Sequence, residues 1–452
     1  MLLRPADPVP AGRKRVQRLT SGTSDLAPPR ELGVGVVWWP AVDALCSPSE
    51  GLVDVIEVEP ETFWTPIPGV EHVPVLPGVL AHLPQPKLLH GVGAPLGGTS
   101  PPPHGHTSAF ARDIAALAPV FVSEHLSFTR FRPAPDQPPA FAGFMLPVLQ
   151  SAAAAELAVA NIRGRRAALG DLDLAFEITP SYLPPVPGEW PDGAFIAAVA
   201  DAADSGIVLD LHNALCNARN HRQPIGAMLD SLPLDRVWEL HLAGGESENG
   251  FYVDAHSGLA EQELMDVAEG LIPSLANLRA VVFEIMPERV PEVGLPALAG
   301  QLGALRDLWS RRGRQVRSRA PGAWPETEPA LEPAEWEALL GNAVTGRPLP
   351  PVGESGAAWL ESARRGLDLY RTLAQEGRAS ALAAAAPRTI RVLLSCLGRA
   401  GTRALLAEFW ACSLPEAMAA EEARCFLRFL GERQPALPGL AEAMAGDLRL
   451  MV

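Results

Sequence analysis

The sequence predicts an α/β protein: a (β/α)8 barrel followed by a small all-α domain. Three observations carry this. Eight short apolar runs recur between residues 33 and 285. Helical stretches and Pro/Gly punctuation separate them. From residue 356 the chain becomes amphipathic, rich in Ala, Leu, Arg and Glu and poor in strand formers. With 452 residues, 48% of them hydrophobic, there is ample material for a core, which excludes disorder throughout.

In chain order, residues 1–30 are polar, Pro-rich and aperiodic, and are expected as a loose N-terminal arm. The barrel is expected over 31–314. Its strand candidates are 33-GVGVVWW-39, 53-VDVIEVE-59, 87-KLLHG-91, 119-PVFVSEH-125, 172-LDLAFE-177, 206-GIVLD-210, 236-RVWELHL-242 and 280-AVVFEI-285. Short continuous apolar runs of this kind suit strands buried on both faces. Helices are expected at 108–118, 151–169, 192–204 and 261–272. An open doubly wound sheet is the rival, but GxGxxG is missing after the first run. The glycine-rich 91-GVGAPLGG-98 follows the third run and has no P-loop lysine. Residues 315–355 are rich in Pro, Glu and Gly and are expected as a linker with one short helix near 333–342. Residues 356–452 form the helical domain, with helices at 356–376, 388–397, 402–413 and 415–433.

Composition excludes several functions. A net charge of −15 argues against a nucleic-acid partner, because phosphate contacts need clustered Lys and Arg. Cys46, Cys216, Cys396, Cys412 and Cys425 are scattered and form no CxxC, which removes zinc-finger and redox-pair readings. No run reaches the ~18 apolar residues of a membrane span. The N-terminus is basic but lacks an apolar core for a secretory signal, so the expected compartment is the cytoplasm.

The informative feature is where polar residues fall. In a barrel, function gathers at the C-terminal ends of strands. Run three ends in His90, run four in Glu124-His125, run five in Glu177, and run six in Asp210, followed by His212 and Asn213. Run seven carries His241 and its loop Asp254 and His256; run eight carries Glu284; run two carries Glu57 and Glu59. Burying such groups unpaired is costly, and converging carboxylates repel one another. Cations between them solve both problems. Imidazole and carboxylate ligands suit Fe, Mn and Zn, and their number implies two or three ions. Glu57 is read as orienting a neighbour, His72 and His82 as surface or core histidines, and Trp38, Trp39 and Tyr182 as packing at the mouth.

The stretches LLHGVG (88–93), VSEHLSF (122–128), FEITPSYL (176–183), LDLHNALCNARNH (209–221), WELHLAGG (238–245), VDAHSG (253–258) and VFEI (282–285) resemble, in order and spacing, the multinuclear non-heme iron-dependent oxidases. The resemblance covers about 31–310. It implies a TIM barrel holding two or three irons, mixed-valent Fe(II)/Fe(III), with O2 as co-substrate. The substrate it implies is a ribosomally made precursor peptide, modified at Cys or at another side-chain or backbone site. By resemblance the metal ligands are His90, His125, Glu177, Asp210, Asn213, His241, Asp254, His256 and Glu284. The residues themselves add Glu124, His212 and Glu59 as further candidates. The resemblance also implies a leader-binding partner protein, a role open to the fused C-terminal helices.

Departures mark a divergent subgroup. The family's EVHPEN is EVEPET here, with Glu59 in place of His; DVNN becomes DLHN; and the acidic EWD becomes Glu284-Ile285-Met286. Two alternatives stand beside the oxidase: a xylose-isomerase-like metal-dependent isomerase or phosphodiesterase, and a degenerate barrel acting as a peptide-binding scaffold.

Overall fold

The computed structural model describes residues 31–64, 72–170, 172–220, 222–313 and 324–451. The arm expected over 1–30 and residues 314–323, at the start of the expected linker, lie outside the described residues.

Eight parallel strands close into a barrel. They are β1 (Gly33–Val37), β2 (Val55–Val58), β3 (Lys87–Gly91), β4 (Val122–His125), β5 (Leu174–Glu177), β6 (Gly206–Asp210), β7 (Val237–Ala243) and β8 (Ala280–Glu284). Each pairs with the next in sequence, and β8 closes on β1 with Val34 opposite Val281. β1, β2 and β8 are buried along their whole length, which explains their unbroken apolar sequence. Around the barrel run α1 (His106–Leu117), α2 (Ala152–Ala168), α3 (Asp192–Ala203), α4 (Leu211–Arg219), α5 (Ile225–Ser231), α6 (Gln262–Leu271) and α7 (Leu295–Ser310). Among the described residues the crossovers after β1 and β2 carry 3-10 turns, Pro40–Cys46 and Pro60–Phe63, and the short helix Leu76–Val79. Prolines at the starts of these segments set their entry and favour short turns.

Two hairpins rise from the mouth. Ser127–Phe131 pairs with Ala140–Pro147 after β4, and Glu246–Glu248 pairs with Phe251–Val253 after β7.

Five further helices follow: α8 (Pro333–Thr345), α9 (Glu354–Ala385), α10 (Pro387–Cys412), α11 (Ala419–Arg433) and α12 (Leu440–Leu450). A capping box of Glu332 and Glu335 starts α8. Where the sequence reads as a linker, α8 packs into the same core as the barrel: Trp336, Leu339 and Leu340 are buried, and the Trp336 indole donates to Pro147 O at 2.8 Å. The first half of α9 joins it through Trp359 and Tyr370. Both helices therefore dock on loops at the C-terminal ends of the strands. The ends of α9 and α10 form a separate core with α11 and α12 around Leu382, Leu393, Phe409 and Phe426. Gly398, at φ +67°, breaks α10 in the left-handed region that glycine tolerates best. Among the described residues no single helix is long and apolar enough to cross a membrane; α9 and α10 reach that composition only together, across a 110° bend.

The small core is pinned by one ion pair. Arg378 Nε donates to Glu422 Oε1 at 2.6 Å, and Nη1 donates to Ser413 O at 3.1 Å, with both side chains buried. Glu422→Ala is expected to leave the guanidinium unpaired and cost about 3–5 kcal/mol. Hydrogen exchange should then quicken in α10–α12 while barrel amides keep their protection; unchanged exchange in α11 would refute the assignment.

Candidate metal centre

Strand alternation aims the site. Along β4, Ser123 and His125 point inward while Glu124 points out. The Glu124 carboxylate accepts from the His125 and Ala94 backbone N–H groups and lies 3.9 Å from both Arg165 Nη1 and His125 Nδ1, on the far side of the His125 ring from the inward donors. Ser123 Oγ is hydrogen-bonded to His90 Nδ1 at 2.7 Å, which turns Nε2 toward the barrel axis. His125 Nδ1 donates to Gly91 O at 3.1 Å and leaves its Nε2 3.4 Å from His90 Nε2.

From these two imidazoles the donors run in overlapping groups. His90, His125 and Glu177 form the first, with Glu177 Oε2 3.4 Å from His90 Nε2. Glu177, Asp210 and His241 form the second, with His241 Nδ1 3.4 Å from the same Oε2. Asp210, His256 and Glu284 form the third, with His256 Nε2 3.4 Å from Glu284 Oε2. Glu177 and Asp210 are each shared by two groups. A fourth lies beneath: Glu57 and Glu239 flank His241 Nε2 at 3.1 and 3.7 Å.

Local sequence explains the placement. Asp210 ends β6 and caps α4, its Oδ1 accepting from the His212 and Asn213 N–H groups at 2.6 and 3.0 Å. Its Oδ2 remains free to face the site. Asn213 donates from Nδ2 to Glu177 Oε1 at 2.7 Å and so steadies the shared carboxylate, while its own Oδ1 is buried without a hydrogen-bond partner. Asp254 Oδ1 lies 2.8 Å from His256 Nε2. The segment is not extended at His256, which sits at φ +43°, a strained conformation for a residue with a side chain. The His256 carbonyl accepts from Met286 N–H at 2.9 Å and Gly244 O accepts from Ser257 N–H at 2.7 Å, which hold it there. His212 Nε2 lies 3.5 Å from Asp254 Oδ1 and 3.7 Å from Cys216 Sγ, behind the third group. Glu59 is half-buried at the rim, and Met286 is exposed there. Tyr182, beyond packing, accepts the Asp254 N–H at 3.1 Å. Trp38 is buried and donates from Nε1 to Asp43 at 3.0 Å.

Glu239 was not singled out from the sequence. Its signal was present: it stands two residues before His241, on the inward face of the same strand.

The donors carry excess negative charge. Burial and the charges of Glu177, Glu284 and Asp254 push the Asp210 carboxyl well above its usual range. Burial and Glu57 push Glu239 up to about 8. Burial and Glu284 push Glu59 up to about 7. Burial opposes charge on His241, but Glu284 and Glu57 drive it well above the ordinary imidazole value. Burial likewise opposes charge on His125, yet the Glu124 hydrogen bond and Glu177 raise it to about 9. Burial would raise Glu177 too, but His241 at 3.4 Å and the other surrounding imidazoles hold it well below the usual range. Glu177 Oε2, Asp210 Oδ2, His241 Nδ1, Asp254 Oδ1, His256 Nε2 and Glu284 Oε2 are buried without a hydrogen-bond partner. Unpartnered buried acids and imidazoles, facing one another at 3–4 Å, fit cations of the Fe, Mn or Zn class.

A family model described as "RiPP precursor modification enzyme MbnB/TglH/ChrH" matches residues 32–294, which takes in all eight strands. A UPF0276 protein of Streptomyces avermitilis is 28% identical over 427 residues, covering 88% of this chain and 83% of its own length. That span is too long to be confined to the barrel. A UPF0276 protein of Chromobacterium violaceum is 32% identical over 179 residues, 40% of this chain and 62% of its own length. Among solved structures, a D-psicose 3-epimerase from Clostridium cellulolyticum H10 covers 62% of this chain and 99% of that one, at 10% identity and a TM-score of 0.40.

Proposed function

This chain belongs to the MbnB/TglH/ChrH family of RiPP precursor modification enzymes, and we propose that it is a multinuclear non-heme iron oxidase acting on a ribosomally made precursor peptide. The observation that carries the proposal is the run of three donor groups sharing Glu177 and Asp210, with their inward atoms buried and unpartnered.

His90, His125 and Glu177 would hold one ion; Glu177, Asp210 and His241 a second; Asp210, His256 and Glu284 a third. Iron bound there, as a mixed-valent Fe(II)/Fe(III) set of two or three ions, supplies oxidation with O2 as co-substrate. The protein does the rest. Asn213 fixes the shared Glu177 carboxylate through Oε1, and Ser123 and Gly91 fix the two imidazole rings. Asp254 is a positioning partner of His256, or its fellow ligand, at 2.8 Å. Barrel walls of Val, Leu and Phe exclude water from the floor. The peptide residue, Cys or another side-chain or backbone site, enters from the mouth, beside the two hairpins.

Helices α8 and α9 stand at that mouth: Thr99, in the loop after β3, donates through its N–H at 2.6 Å to Glu337 of α8, and Arg365 of α9 donates at 2.8 Å to Asn249 of the second hairpin. This placement supports a role for 356–452 in recruiting the peptide, in place of or beside a separate leader-binding protein. The five cysteines are free, which suits a cytoplasmic setting.

The test is metal analysis of anaerobically purified protein, with mass spectrometry of a co-expressed peptide encoded beside it. We expect about two or more irons per chain and an O2-dependent mass change in the peptide. Another divalent metal without O2 uptake would favour the isomerase or phosphodiesterase. No tightly held metal would favour the scaffold.

A further inference from the structure

His241 presents its two ring nitrogens to opposite sets of groups. Nδ1 faces up, 3.4 Å from Glu177 Oε2 and 3.4 Å from Glu284 Oε1. Nε2 faces the barrel floor, 3.1 Å from Glu57 Oε2 and 3.7 Å from Glu239 Oε1. Glu57, Glu239 and His241 are entirely shielded from solvent. The four oxygens of the two acids have no hydrogen-bond partner among the described residues. Among the described residues their ion-pair contacts are those with His241 and one of 3.9 Å from Glu57 Oε1 to His90 Nδ1, so the 3.1 Å approach of Glu57 Oε2 to His241 Nε2 is the shortest.

A nitrogen lone pair aimed at the buried Glu57 carboxylate, the nearer of the two acids at 3.1 Å, is repelled by it, whereas an N–H is attracted. The floor thus forces hydrogen onto Nε2. With a cation above, the Nδ1 lone pair then points at Glu177 and Asp210, where the second donor group lies. Charge on the floor also makes the ring a stronger donor to that cation. Apolar residues in place of Glu57 and Glu239 would fill the same space but would leave the ring free to choose either tautomer.

We propose that Glu57, backed by Glu239, is a positioning residue that fixes the Nε2–H tautomer of His241 and directs Nδ1 at the metal. The inference rests on the metal-centre reading above. Neither acid touches substrate; both act through His241.

The test uses the full chain, stripped of metal and titrated with zinc alone. Glu57→Ala is expected to weaken zinc binding about 10–100-fold, with the number bound at saturation unchanged. Glu57→Gln is expected to restore most of the affinity, because its amide oxygen accepts the same N–H. In zinc-loaded wild type labelled with ¹⁵N-histidine, the His241 resonances, identified by their loss in His241→Asn, should show Nε2 protonated and Nδ1 metal-bound. This last measurement stands even if Glu57→Ala fails to fold. Wild-type affinity in Glu57→Ala, a metal-bound Nε2, or the loss of one zinc per chain in both Glu57 variants would each overturn the proposal; the last would make Glu57 a ligand. Zinc binding that ignores Glu57 removes this inference alone, whereas a wild type that binds no zinc removes the metal centre with it.

Discussion

Glu177→Ala is expected to strip the protein of most of its metal and to abolish peptide modification. The reason is sharing. Glu177 Oε2 stands 3.4 Å from His90 Nε2 and 3.4 Å from His241 Nδ1, so one oxygen serves two donor groups. Removing it leaves the first group with two imidazoles and the second with Asp210 and His241. It also releases Asn213, whose Nδ2 donates to the other oxygen at 2.7 Å. From about two or three ions per chain the content should fall to one or none. His125→Ala touches the first group alone and should remove a single ion. Metal analysis of the two variants side by side checks the contrast. Equal losses in both, or a fully loaded Glu177→Ala, would sink the shared-carboxylate geometry. Stability gives a second signature. His241, His125 and His90, which hold the Glu177 carboxyl below its usual range, lose that partner in the variant. Metal-free Glu177→Ala should therefore unfold below the metal-free wild type but still cooperatively, which separates lost ligation from lost folding.

The barrel was legible because its strands are buried on both faces, so each reads as a short, mainly apolar run, most of them carrying a polar residue near the C-terminal end. All eight runs hold a strand, down to Gly206–Asp210 and its terminal acid. Elements whose stability comes from tertiary contacts were not legible. α4 reads LHNALCNAR, a string of middling helix formers, and is started by the Asp210 cap. The hairpin Ser127–Phe131/Ala140–Pro147 carries a register shift between Phe128 and Arg130 that blurs its alternation. α7 and α12 passed unnoticed for want of a strong amphipathic stripe or flanking signal. In the site, period-two alternation separates His125 from Glu124 and joins Glu239 to His241, a rule available from sequence. Asp254 and His256 also meet, at 2.8 Å, although His256 leaves the extended conformation. The roles of Asn213 and Tyr182 depend on partners 36 and 72 residues away, which no local pattern encodes.

Tyr182 also ties the metal centre to the C-terminal helices, and the second large effect follows from that tie. Tyr370 of α9 donates from its hydroxyl to Pro180 O at 3.1 Å, and the same oxygen accepts from Tyr182 N–H at 3.4 Å. The two tyrosine rings lie 5.2 Å apart. One turn earlier, the absence of a side chain at Gly366 lets the helix backbone meet the loop: a Cβ there would stand 2.1 Å from Tyr182 O and 3.0 Å from Leu183 Cδ2. An ordinary carbon–oxygen contact is about 3.3 Å or more, so Gly366→Val drives helix and loop apart by roughly 1 Å. The strain should cost about 1–3 kcal/mol, too little to unfold the chain. Its effect on the site should be larger. Tyr182 accepts the Asp254 N–H, and Asp254 lies 2.8 Å from His256, so the shift passes into the third donor group. A misplacement of this size can cost about 100-fold in rate. Gly366→Val is expected to lose the ion held by Asp210, His256 and Glu284 and to modify peptide about 100-fold more slowly, while the His90/His125/Glu177 ion stays. Tyr182→Phe removes the acceptor without moving the helix and should reproduce the metal loss in part, because it leaves a buried N–H unpaired at about 1–3 kcal/mol. If Gly366→Val keeps both its full metal load and its rate, α9 is a passenger on the barrel rather than part of its active face.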